Sequence, residues 1–318
     1  MGSLDGRVTL VAGATRGAGR GIAVALGEQG ATVYCTGRSV RGLLASGASR
    51  PETIDETAEL VSAAGGKGIA VRCDHTIESE VRALMDRVRR EQGRLDVLVN
   101  DVWGGDALTE FGKTFWQVNV ANGRTMIDQA IWSHILTSHH AAPLMFDRGE
   151  RGTALIVEIT DGDFYGYRGN IFYDLVKSSV TRLAFIQARE LRKLDVAAVA
   201  VTPGFLRSEF MLEHFGVTAD TWRDGAKKDP NFLASESPLY VGRGIAALAA
   251  DPNVKQKSGK VFASWTLANE YGFTDVDGSR PDWGAHFAKT FGGPYRPFDD
   301  DLYAAFLGPG EVVFGDWP

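Results

Sequence analysis

The amino-acid sequence predicts an α/β fold built on a doubly wound parallel β-sheet with helices on both faces. Short apolar segments alternate with longer segments of helical periodicity over the first two-thirds of the chain. The apolar segments are rich in Val, Ile and Ala and lack polar alternation, which indicates strands buried on both faces, as in a parallel sheet. A glycine-rich segment also joins the first apolar segment to the first helical one, and glycine permits a tight strand-to-helix turn there.

The predicted elements alternate between strand and helix. Six strands are predicted in the first two-thirds of the chain, at Val8–Ala12, Thr32–Thr36, Gly68–Cys73, Val97–Asn100, Ala154–Ile159 and Val196–Thr202. The helices between them are predicted at Gly19–Gln29, Thr53–Ala64, Ile77–Gln92, a stretch that ends near Met145, and Tyr173–Lys193. Beyond Pro203 the pattern recovers a helix, Val241–Ala250, and a short last strand, Gly259–Ser264.

The chain is predicted to form a single domain with a substrate lid and a C-terminal extension. Residues 1–265 contain the sheet, and residues from about 205 to 240 are predicted to form the lid, since large apolar residues stand there among charges and glycines. Residues 266–318 are rich in Gly, Pro, Asp and aromatic residues. Because a segment with so many Trp and Phe residues is unlike a disordered one, we expect an extension that packs on the body.

Composition and charge argue against several classes of function. The 318 residues carry a formal net charge of -6, which is unlike a nucleic-acid surface or a polybasic membrane patch. No apolar run approaches the roughly 20 residues of a spanning helix, and the N-terminus lacks a signal-peptide pattern. Cys35 and Cys73 lie in predicted buried strands, and no His/Cys cluster has metal-ligand spacing. We therefore expect a cytoplasmic protein with a small-molecule substrate and no nucleic-acid, membrane or metal partner.

The glycine-rich turn reads Gly13-x-x-x-Gly17-x-Gly19 between a predicted strand and a predicted helix. Glycine lets the backbone approach a pyrophosphate, and the free N–H groups of the helix N-terminus bind its negative charge. In this strand–turn–helix context the motif predicts the dinucleotide-binding turn of a Rossmann fold. The candidate residues of this turn are Gly13, Thr15, Arg16, Gly17, Ala18 and Gly19.

The end of the second predicted strand indicates which dinucleotide binds. An NAD site usually has an acidic residue about 20 residues after the turn, where it holds the ribose hydroxyls. Here residues 34–39 include neither Asp nor Glu. Arg38, with Ser39 and Arg16, suits a 2′-phosphate through charge-assisted hydrogen bonds. NADP(H) is therefore the predicted cofactor, and the alternative interpretation of Arg38 is a solvated loop residue.

A tyrosine and a lysine, Tyr173 and Lys177, stand four residues apart at the start of a predicted helix. Residues at this spacing project from one face of a helix. A lysine ammonium near a phenol favours the phenolate and lowers the pKa of the phenol, which suits proton transfer to or from a hydroxyl. The pair follows a predicted strand and therefore predicts an acid/base site.

Taken together, these motifs resemble those of the short-chain dehydrogenase/reductase family over roughly residues 5–265. The motifs that carry the resemblance are Gly13-x-x-x-Gly17-x-Gly19, Cys73-Asp74, Leu98-Val99-Asn100, Tyr173-x-x-x-Lys177 and Pro203-Gly204 followed by Ser208. The resemblance implies that Asp74 contacts the adenine, and that Asn100 lines the adenosine side and braces the sheet. It also implies that Ser208, with the backbone after Pro203-Gly204, holds the carboxamide. Members of this family commonly form homodimers or homotetramers through the helix of the tyrosine and the helix before it.

The catalytic apparatus departs from the family pattern at the serine. The resemblance implies that Tyr173 is the acid/base as a hydride moves between nicotinamide and substrate, and that Lys177 holds the nicotinamide ribose. The place of the serine, 12 or 13 residues before the tyrosine, holds Thr160 and Asp161. Thr160 offers a hydroxyl that polarises a carbonyl. Asp161 would oppose ionisation of Tyr173 if charged, or donate a hydrogen bond if burial kept it protonated. The sequence leaves both assignments open.

The catalytic asparagine of the family has two candidate positions. Asn119 has a matching local sequence but lies about 40 residues before Thr160, further than the family usually allows. Alignment on residues 143–145 places Ala130 at the position instead and makes residues from about 105 to 129 an insertion near the site. This second alignment is preferred, and it indicates an incomplete proton relay.

Polar and aromatic residues near the predicted site suggest how a substrate is held. The candidate substrate residues are Trp103, Tyr167, Arg168, Phe210 and His214. A pocket lined by aromatic side chains with a few polar groups suits a medium-sized cyclic or aromatic substrate.

Three functions are compatible with these features. The preferred one is an NADP(H)-dependent oxidoreductase that interconverts a ketone and an alcohol. The second is a non-redox isomerase, dehydratase or cyclase that uses Asp161 or Asp101. The third is an NADP-binding regulator without turnover, because a fold alone does not determine function.

Overall fold

Seven parallel strands form one sheet in the computed structural model, which describes residues 2–45, 50–146, 152–163 and 167–291. The strands are β1 (Val8–Ala12), β2 (Thr32–Gly37), β3 (Lys67–Arg72), β4 (Val97–Asn100), β5 (Ala154–Ile159), β6 (Val196–Thr202) and β7 (Val261–Ala263). They lie in the order β3-β2-β1-β4-β5-β6-β7. Because the winding reverses between β1 and β4, the carboxyl ends of these two strands flank a crevice. The predicted doubly wound parallel sheet is confirmed.

Helices cover both faces of this sheet. In the described ranges they are α1 (Gly17–Glu28), α2 (Ile54–Ala63), α3 (Glu78–Gln92), α4 (Val120–Ile127), α5 (Ser133–Ala141), α6 (Ile171–Glu190), α7 (Glu209–Phe215), α8 (Pro238–Ala250), α9 (Ser264–Tyr271) and α10 (Trp283–Phe291). Side chains of α1, α2 and α8 form a core cluster with one face of the sheet, which includes Val99. Side chains of α3, α5 and α6 form a second cluster with the other face, which includes Leu98. Burial on both faces explains why the strands lack polar alternation.

The bounds of β1, β4, β5 and β6 are those predicted from the sequence. The helix that carries the Tyr-Lys pair, α6, begins two residues earlier than predicted because Asn170 caps it. The Asn170 side-chain oxygen accepts the backbone N–H groups of Phe172 and Tyr173, at 2.9 and 3.1 Å. This cap fixes the first turn of α6, in which Tyr173 lies.

The helical stretch predicted to end near Met145 is interrupted. Between α4 and α5 the residues Asp128–Trp132 form a π-helical segment, and a 3₁₀ turn follows α5 at Ala142–Leu144. Asn119 caps α4, its side-chain oxygen accepting the N–H of Ala121 at 2.9 Å. Ala130 lies buried inside the π-helical segment, beside Val176 of α6. A π-helical segment of this kind is common near functional sites.

The lid and the described part of the C-terminal extension are tied together by a buried ion pair. Arg207 donates to the Asp275 carboxylate at 2.6 Å, and both side chains are at most 5% exposed. The ring of Trp283 in α10 packs on Phe205, with ring centroids 5.5 Å apart. Residues 266–291 therefore pack against the lid and the body, while residues 292–318 of the predicted extension lie outside the described residues.

Candidate active site

The glycine-rich turn brings the start of α1 against the end of β4. A Cβ at Gly13 would lie 2.5 Å from the carbonyl oxygen of Asp101, and a Cβ at Gly19 would lie 2.3 Å from the carbonyl oxygen of Gly13. Gly17 has a positive φ of +57°, and the nearest atom to a Cβ there would be the Ser208 Cβ, at 3.8 Å. Glycine is thus required for the close approach at two positions and for the backbone conformation at the third. Thr15 lies against Gly37 of β2, and Ala18 is buried.

The N-terminus of α1 holds an anionic group of the chain itself. The Gly17 N–H donates to Oε2 of Glu209 at 2.7 Å, and Oε1 of the same carboxylate lies 3.8 Å from the Arg20 guanidinium. Glu209 is the first residue of α7 in the lid. A carboxylate at this position shows that the turn accepts negative charge, as a pyrophosphate site requires. These residues therefore fit a dinucleotide.

Two arginines flank the turn on the side of β2. Arg38 lies 3.9 Å from Asp74, and Arg16 lies 3.7 Å from Glu52. Ser39 is buried, and its hydroxyl oxygen accepts the N–H of Ala45 at 3.1 Å. The ends of β2 and β3 therefore combine arginines with the carboxylates that neutralise them.

Asn100 is fully buried and braces the sheet. Its side-chain amide donates to Glu158 on β5 and to Ser138 on α5, both at 2.9 Å. Asn100 is completely buried, and the buried Glu158 carboxylate needs such amide donors. The place of Asn100 beside the adenosine, which the family resemblance implies, stays a prediction.

No motif of the sequence marks the other members of this network. His134 Nδ1 lies 2.7 Å from Glu158 Oε2, His134 Nε2 lies 3.1 Å from the carbonyl oxygen of Val102, and Gln187 donates to Glu158 at 2.9 Å. Glu158 was a detectable signal, because a single acidic residue stands inside an otherwise apolar strand. The network fixes the backbone just beyond β4, where the site begins.

Asp161, rather than Thr160, reaches the phenol of Tyr173. The Tyr173 hydroxyl donates to Asp161 Oδ2 at 2.7 Å. The Thr160 hydroxyl donates instead to the backbone carbonyl of Lys177 at 2.7 Å, and Thr160 is buried. Of the two alternatives for the place of the serine, the carboxylate faces the candidate acid/base and accepts a hydrogen bond from it.

The pKa of Tyr173 is raised, as expected beside a charged Asp161 and opposite to the lowering expected from Lys177 alone. Burial, and next the Asp161 carboxylate, raise the pKa of the Tyr173 phenol well above its usual range. Burial also lowers the pKa of Lys177, whose Nζ lies 5.7 Å from the Tyr173 ring centroid. A nearby carboxylate and loss of solvent both disfavour the phenolate. Asp101, on the other side of Lys177, has its pKa raised to about 7 by burial.

Two aromatic rings cover Tyr173. The ring centroids of Trp103 and Phe111 lie 5.4 and 5.7 Å from that of Tyr173, both in edge-on orientation. Lys177 Nζ lies 4.4 Å from the Trp103 ring centroid, and the Trp103 Nε1–H donates to Asp106 at 2.6 Å. Phe111 lies in the predicted insertion and was missed by the sequence analysis, because no local pattern connects it to Tyr173.

Of the other four predicted substrate residues, three are exposed and the fourth, Arg168, is bonded to other groups of the chain. Tyr167, Phe210 and His214 are exposed, and the His214 ring packs on Phe215. Arg168 donates to the backbone oxygen of Asp161 at 2.6 Å and pairs with Asp174 at 3.2 Å. The structure therefore brings Trp103 to Tyr173, and it directs Arg168 towards α6.

The turn after β6 is held by a buried acid. The Gly204 N–H donates to Glu236 Oε2 at 2.9 Å, and Ser264 also donates to this oxygen. Burial raises the pKa of Glu236 to about 8. The Thr202 hydroxyl donates to the carbonyl of Pro203 at 2.8 Å. The Ser208 hydroxyl oxygen accepts the Met211 N–H at 3.3 Å and so caps α7.

The described residues contain neither a candidate metal cluster nor a candidate membrane-spanning helix. Within the described residues, no three His, Cys, Asp or Glu side chains gather into a group that could hold a metal ion. Among the helices of the same ranges, none has both the length and the apolar character needed to cross a bilayer.

Comparison with known proteins gives consistent matches. The family model of short chain dehydrogenases matches residues 7–215. A mouse protein named dehydrogenase/reductase SDR family member 1 is 38% identical over 280 residues, which cover 86% of this chain and 85% of the mouse protein. The cis-4-hydroxycyclohexanecarboxylate dehydrogenase of Sinomonas cyclohexanicum is 30% identical, covering 77% of this chain and 90% of its own. A crystal structure of a short chain dehydrogenase from Mycobacterium thermoresistibile superposes with a TM-score of 0.72 at 19% identity, covering 88% of this chain and 92% of that one.

Proposed function

The chain belongs to the short-chain dehydrogenase/reductase family, and on this basis we propose that it is an NADP(H)-dependent oxidoreductase that interconverts a ketone and an alcohol on a medium-sized cyclic or aromatic substrate. The observation that carries the proposal is the position of the Tyr173 phenol beside Lys177, next to a turn that holds an anion. The proposal includes a cytoplasmic location and assembly as a homodimer or homotetramer.

The cofactor is held in this proposal by the turn at the start of α1 and by the loops after β2, β3 and β6. The residues assigned to it are Gly13, Thr15, Arg16, Gly17, Ala18, Gly19, Arg38, Ser39, Asp74, Lys177, Pro203, Gly204 and Ser208. When bound, a reduced nicotinamide dinucleotide supplies a hydride. Two arginines and the absence of an acid at the end of β2 support a 2′-phosphate.

Tyr173 provides the proton in this proposal. The raised pKa keeps its phenol protonated at neutral pH, so the hydroxyl is available as a donor to a substrate oxygen. Asp161 holds the hydroxyl until a substrate takes its place, and Lys177 provides a positive charge 5.7 Å from the Tyr173 ring centroid.

The substrate lies against aromatic surface in this proposal. Trp103 and Phe111 pack on the Tyr173 ring, and aromatic surface favours flat or cyclic molecules. The Sinomonas relative, by its name, acts on a hydroxylated cyclohexane, which supports a cyclic substrate.

The catalytic assignment is tested by replacing the phenol. Tyr173→Phe is expected to lower NADPH-dependent ketone reduction at least 100-fold, because general acid catalysis contributes roughly 10²–10⁴-fold. Tyr271→Phe is the matched control, since the Tyr271 hydroxyl is bonded to Asp251 on a distant helix. Undiminished turnover in the Tyr173 variant would contradict the role.

The cofactor assignment is tested at Arg38. Arg38→Ala is expected to reduce the preference for NADPH over NADH about tenfold or more, because a charge-assisted hydrogen bond contributes about 1.5–3 kcal/mol. Arg41→Ala is the control, since Arg41 is paired with Glu59 on the surface. The measurement is the ratio of the two dissociation constants, and an unchanged ratio would contradict NADP(H) selection by Arg38.

A second candidate function is a non-redox isomerase, dehydratase or cyclase. The observation that favours it is the pKa of Asp101, raised by burial to about 7, which suits a general base at neutral pH. Product formation without a change in nicotinamide absorbance would support this alternative. Full activity of an Asp101→Asn, Asp161→Asn double variant would remove it.

A further inference from the structure

The hydrogen bonds around Tyr173 are arranged for a positively charged substrate group. Reduction of a carbonyl builds negative charge on the oxygen, so donors aimed at that oxygen lower the barrier. Here the Tyr173 hydroxyl donates its hydrogen bond to the Asp161 carboxylate at 2.7 Å, and the Thr160 hydroxyl donates to a backbone carbonyl. A carboxylate one hydrogen bond from the acid/base opposes a developing oxyanion and stabilises a cation.

The other charged groups near Tyr173 and Lys177 also favour a positively charged substrate group. The carboxylates that act on Tyr173 or Lys177 are those of Asp161, Asp101 and Asp106. The cations are Lys177 itself and Arg168, and the Arg168 guanidinium is bound to the Asp161 carbonyl oxygen and to Asp174. Among the described residues, no donor other than the Tyr173 hydroxyl is bonded to the Asp161 carboxylate. Asp161 Oδ1 is thus available to an incoming N–H.

The aromatic walls also accept positive charge. The Lys177 ammonium lies 4.4 Å from the Trp103 ring centroid, in cation–π geometry. The same ring and that of Phe111 flank the Tyr173 ring on its edges. Aromatic rings, one of which already accepts an ammonium, and a carboxylate thus lie together beside Tyr173.

We propose that this site also reduces carbon–nitrogen double bonds, with protonated cyclic imines (iminium ions) as its substrates. The inference rests on the proposed function, because it uses the same hydride donor, a reduced nicotinamide dinucleotide. The iminium carbon gains the hydride with its two electrons, and the C=N π pair becomes the nitrogen lone pair. The products are a neutral amine and the oxidised nicotinamide. No proton is needed from Tyr173, because the nitrogen is already protonated.

Asp161 is the specificity-determining residue of this reaction. Its carboxylate pairs with the N–H of the iminium ion and so selects the protonated imine from the neutral one. Tyr173 stays bonded to Oδ2 throughout and fixes the orientation of the carboxylate. A serine at this position would instead donate to a carbonyl oxygen and favour the ketone.

The first experiment measures binding without any cofactor. The probes are 3,4-dihydroisoquinoline at mildly acidic pH, where its nitrogen is protonated and carries an N–H, and 1-tetralone, a neutral ketone of similar size, titrated calorimetrically. The wild type is expected to bind the cation at least tenfold more tightly than the ketone. Asp161→Asn is expected to weaken binding of the cation at least tenfold and so to remove the preference for the cation over the ketone. Asp128→Asn is the matched control, since Asp128 pairs with Arg124 near the surface.

The second experiment compares turnover of 3,4-dihydroisoquinoline and 1-tetralone with NADPH. The wild type is expected to show a higher kcat/KM for the imine, and Asp161→Ser is expected to reverse this preference. The thermal unfolding midpoint of each variant checks that it is folded. If Asp161→Asn does not fold, Asp161→Ser alone tests the role of the carboxylate.

The outcomes separate the two proposals. Reduction of the ketone but not of the imine, or an unchanged imine-to-ketone ratio in Asp161→Ser, would overturn the inference and leave the proposed function standing. Reduction of the imine alone would support the inference and contradict the ketone–alcohol assignment. A protein that binds NADPH and reduces neither compound would overturn both.

Discussion

The hydrogen-bond partner of Tyr173 determines which acceptors can take the phenol proton. The phenol donates to Asp161, and burial with this carboxylate raises the pKa of the phenol. A phenol with a raised pKa is a weaker acid and gives up its proton only to a strongly basic acceptor, such as an alkoxide in formation. The same contact disfavours negative charge beside the phenol.

Glu236 makes a second residue-scale prediction, on stability. Burial raises its pKa from 4.5 to about 8, so the folded state holds the proton more tightly than the unfolded chain. Its contribution to the free energy of unfolding is fully present below about pH 4.5 and is lost as the pH rises through about 8. Glu236→Gln, which resembles the protonated acid, is expected to flatten this fall, whose limiting slope is about 1.4 kcal/mol per pH unit.

Urea unfolding at several values between pH 5 and pH 8.5 measures this effect. Glu59→Gln is a suitable control, because Glu59 is an exposed residue of α2 paired with Arg41. Parallel curves for the wild type and Glu236→Gln would show that Glu236 is ionised in the folded protein at neutral pH.

The sequence indicated the important side chains without their interactions. The spacing of Tyr173 and Lys177 on one helical face was sufficient to find the pair. Which of Thr160 and Asp161 faces the phenol depends on how the chain turns after β5, and consecutive residues there give no signal of it. The direction of the Tyr173 pKa shift was missed because spacing reports neighbours along a helix but not desolvation.

At the scale of elements, α7 contacts α1 through the carboxylate of its own Glu209. The Glu209 carboxylate at the start of α7 occupies the Gly17 N–H, which the proposed function assigns to a phosphate. Glu209→Gln is expected to bind NADPH about threefold to tenfold more tightly, because one competing charge-assisted contact is weakened. Titration of NADPH fluorescence gives the dissociation constant.

The control for this change is Glu190→Gln, at the exposed end of α6. Equal or weaker NADPH binding by the Glu209 variant would show that α7 does not compete with the cofactor. The same conclusion would follow if salt changed NADPH binding to the Glu209 variant and to the Glu190 variant by the same factor, since competition between charges is sensitive to screening.

Elements were predictable where a single pattern determines them. The inner strands β1, β4, β5 and β6 have the predicted bounds, because burial on both faces leaves an unbroken apolar segment. The interruption between α4 and α5 was not predictable, because π-helical segments have no distinct hydrophobic period. The contact of Phe111 with Tyr173 joins distant parts of the chain and depends on tertiary packing.

At the scale of the whole molecule, the outer faces of α5 and α6 carry exposed apolar side chains. Ile135 on α5 and Leu175 and Ile186 on α6 are 38%, 50% and 41% exposed. Exposed apolar residues gathered on neighbouring helices are typical of a surface between subunits. Ile186→Glu is expected to shift the protein towards the monomer in light scattering after size exclusion.

Leu60→Glu, at an equally exposed position on α2, is the control and is expected to leave the assembly unchanged. A monomeric wild type, or an Ile186 variant that assembles as the wild type does, would contradict pairing through these helices.

The central claim is hydride transfer governed by Tyr173, and transfer of an isotope label tests it most directly. NADPH carrying deuterium at the transferable C4 position is incubated with a cyclic ketone, and the product is examined by mass spectrometry. One deuterium is expected on the carbinol carbon with the wild type, and at least 100-fold less labelled product with Tyr173→Phe. Hydride transfer governed by Tyr173 would be contradicted if the product carried no deuterium whichever face of C4 was labelled, or if the variant labelled the product equally.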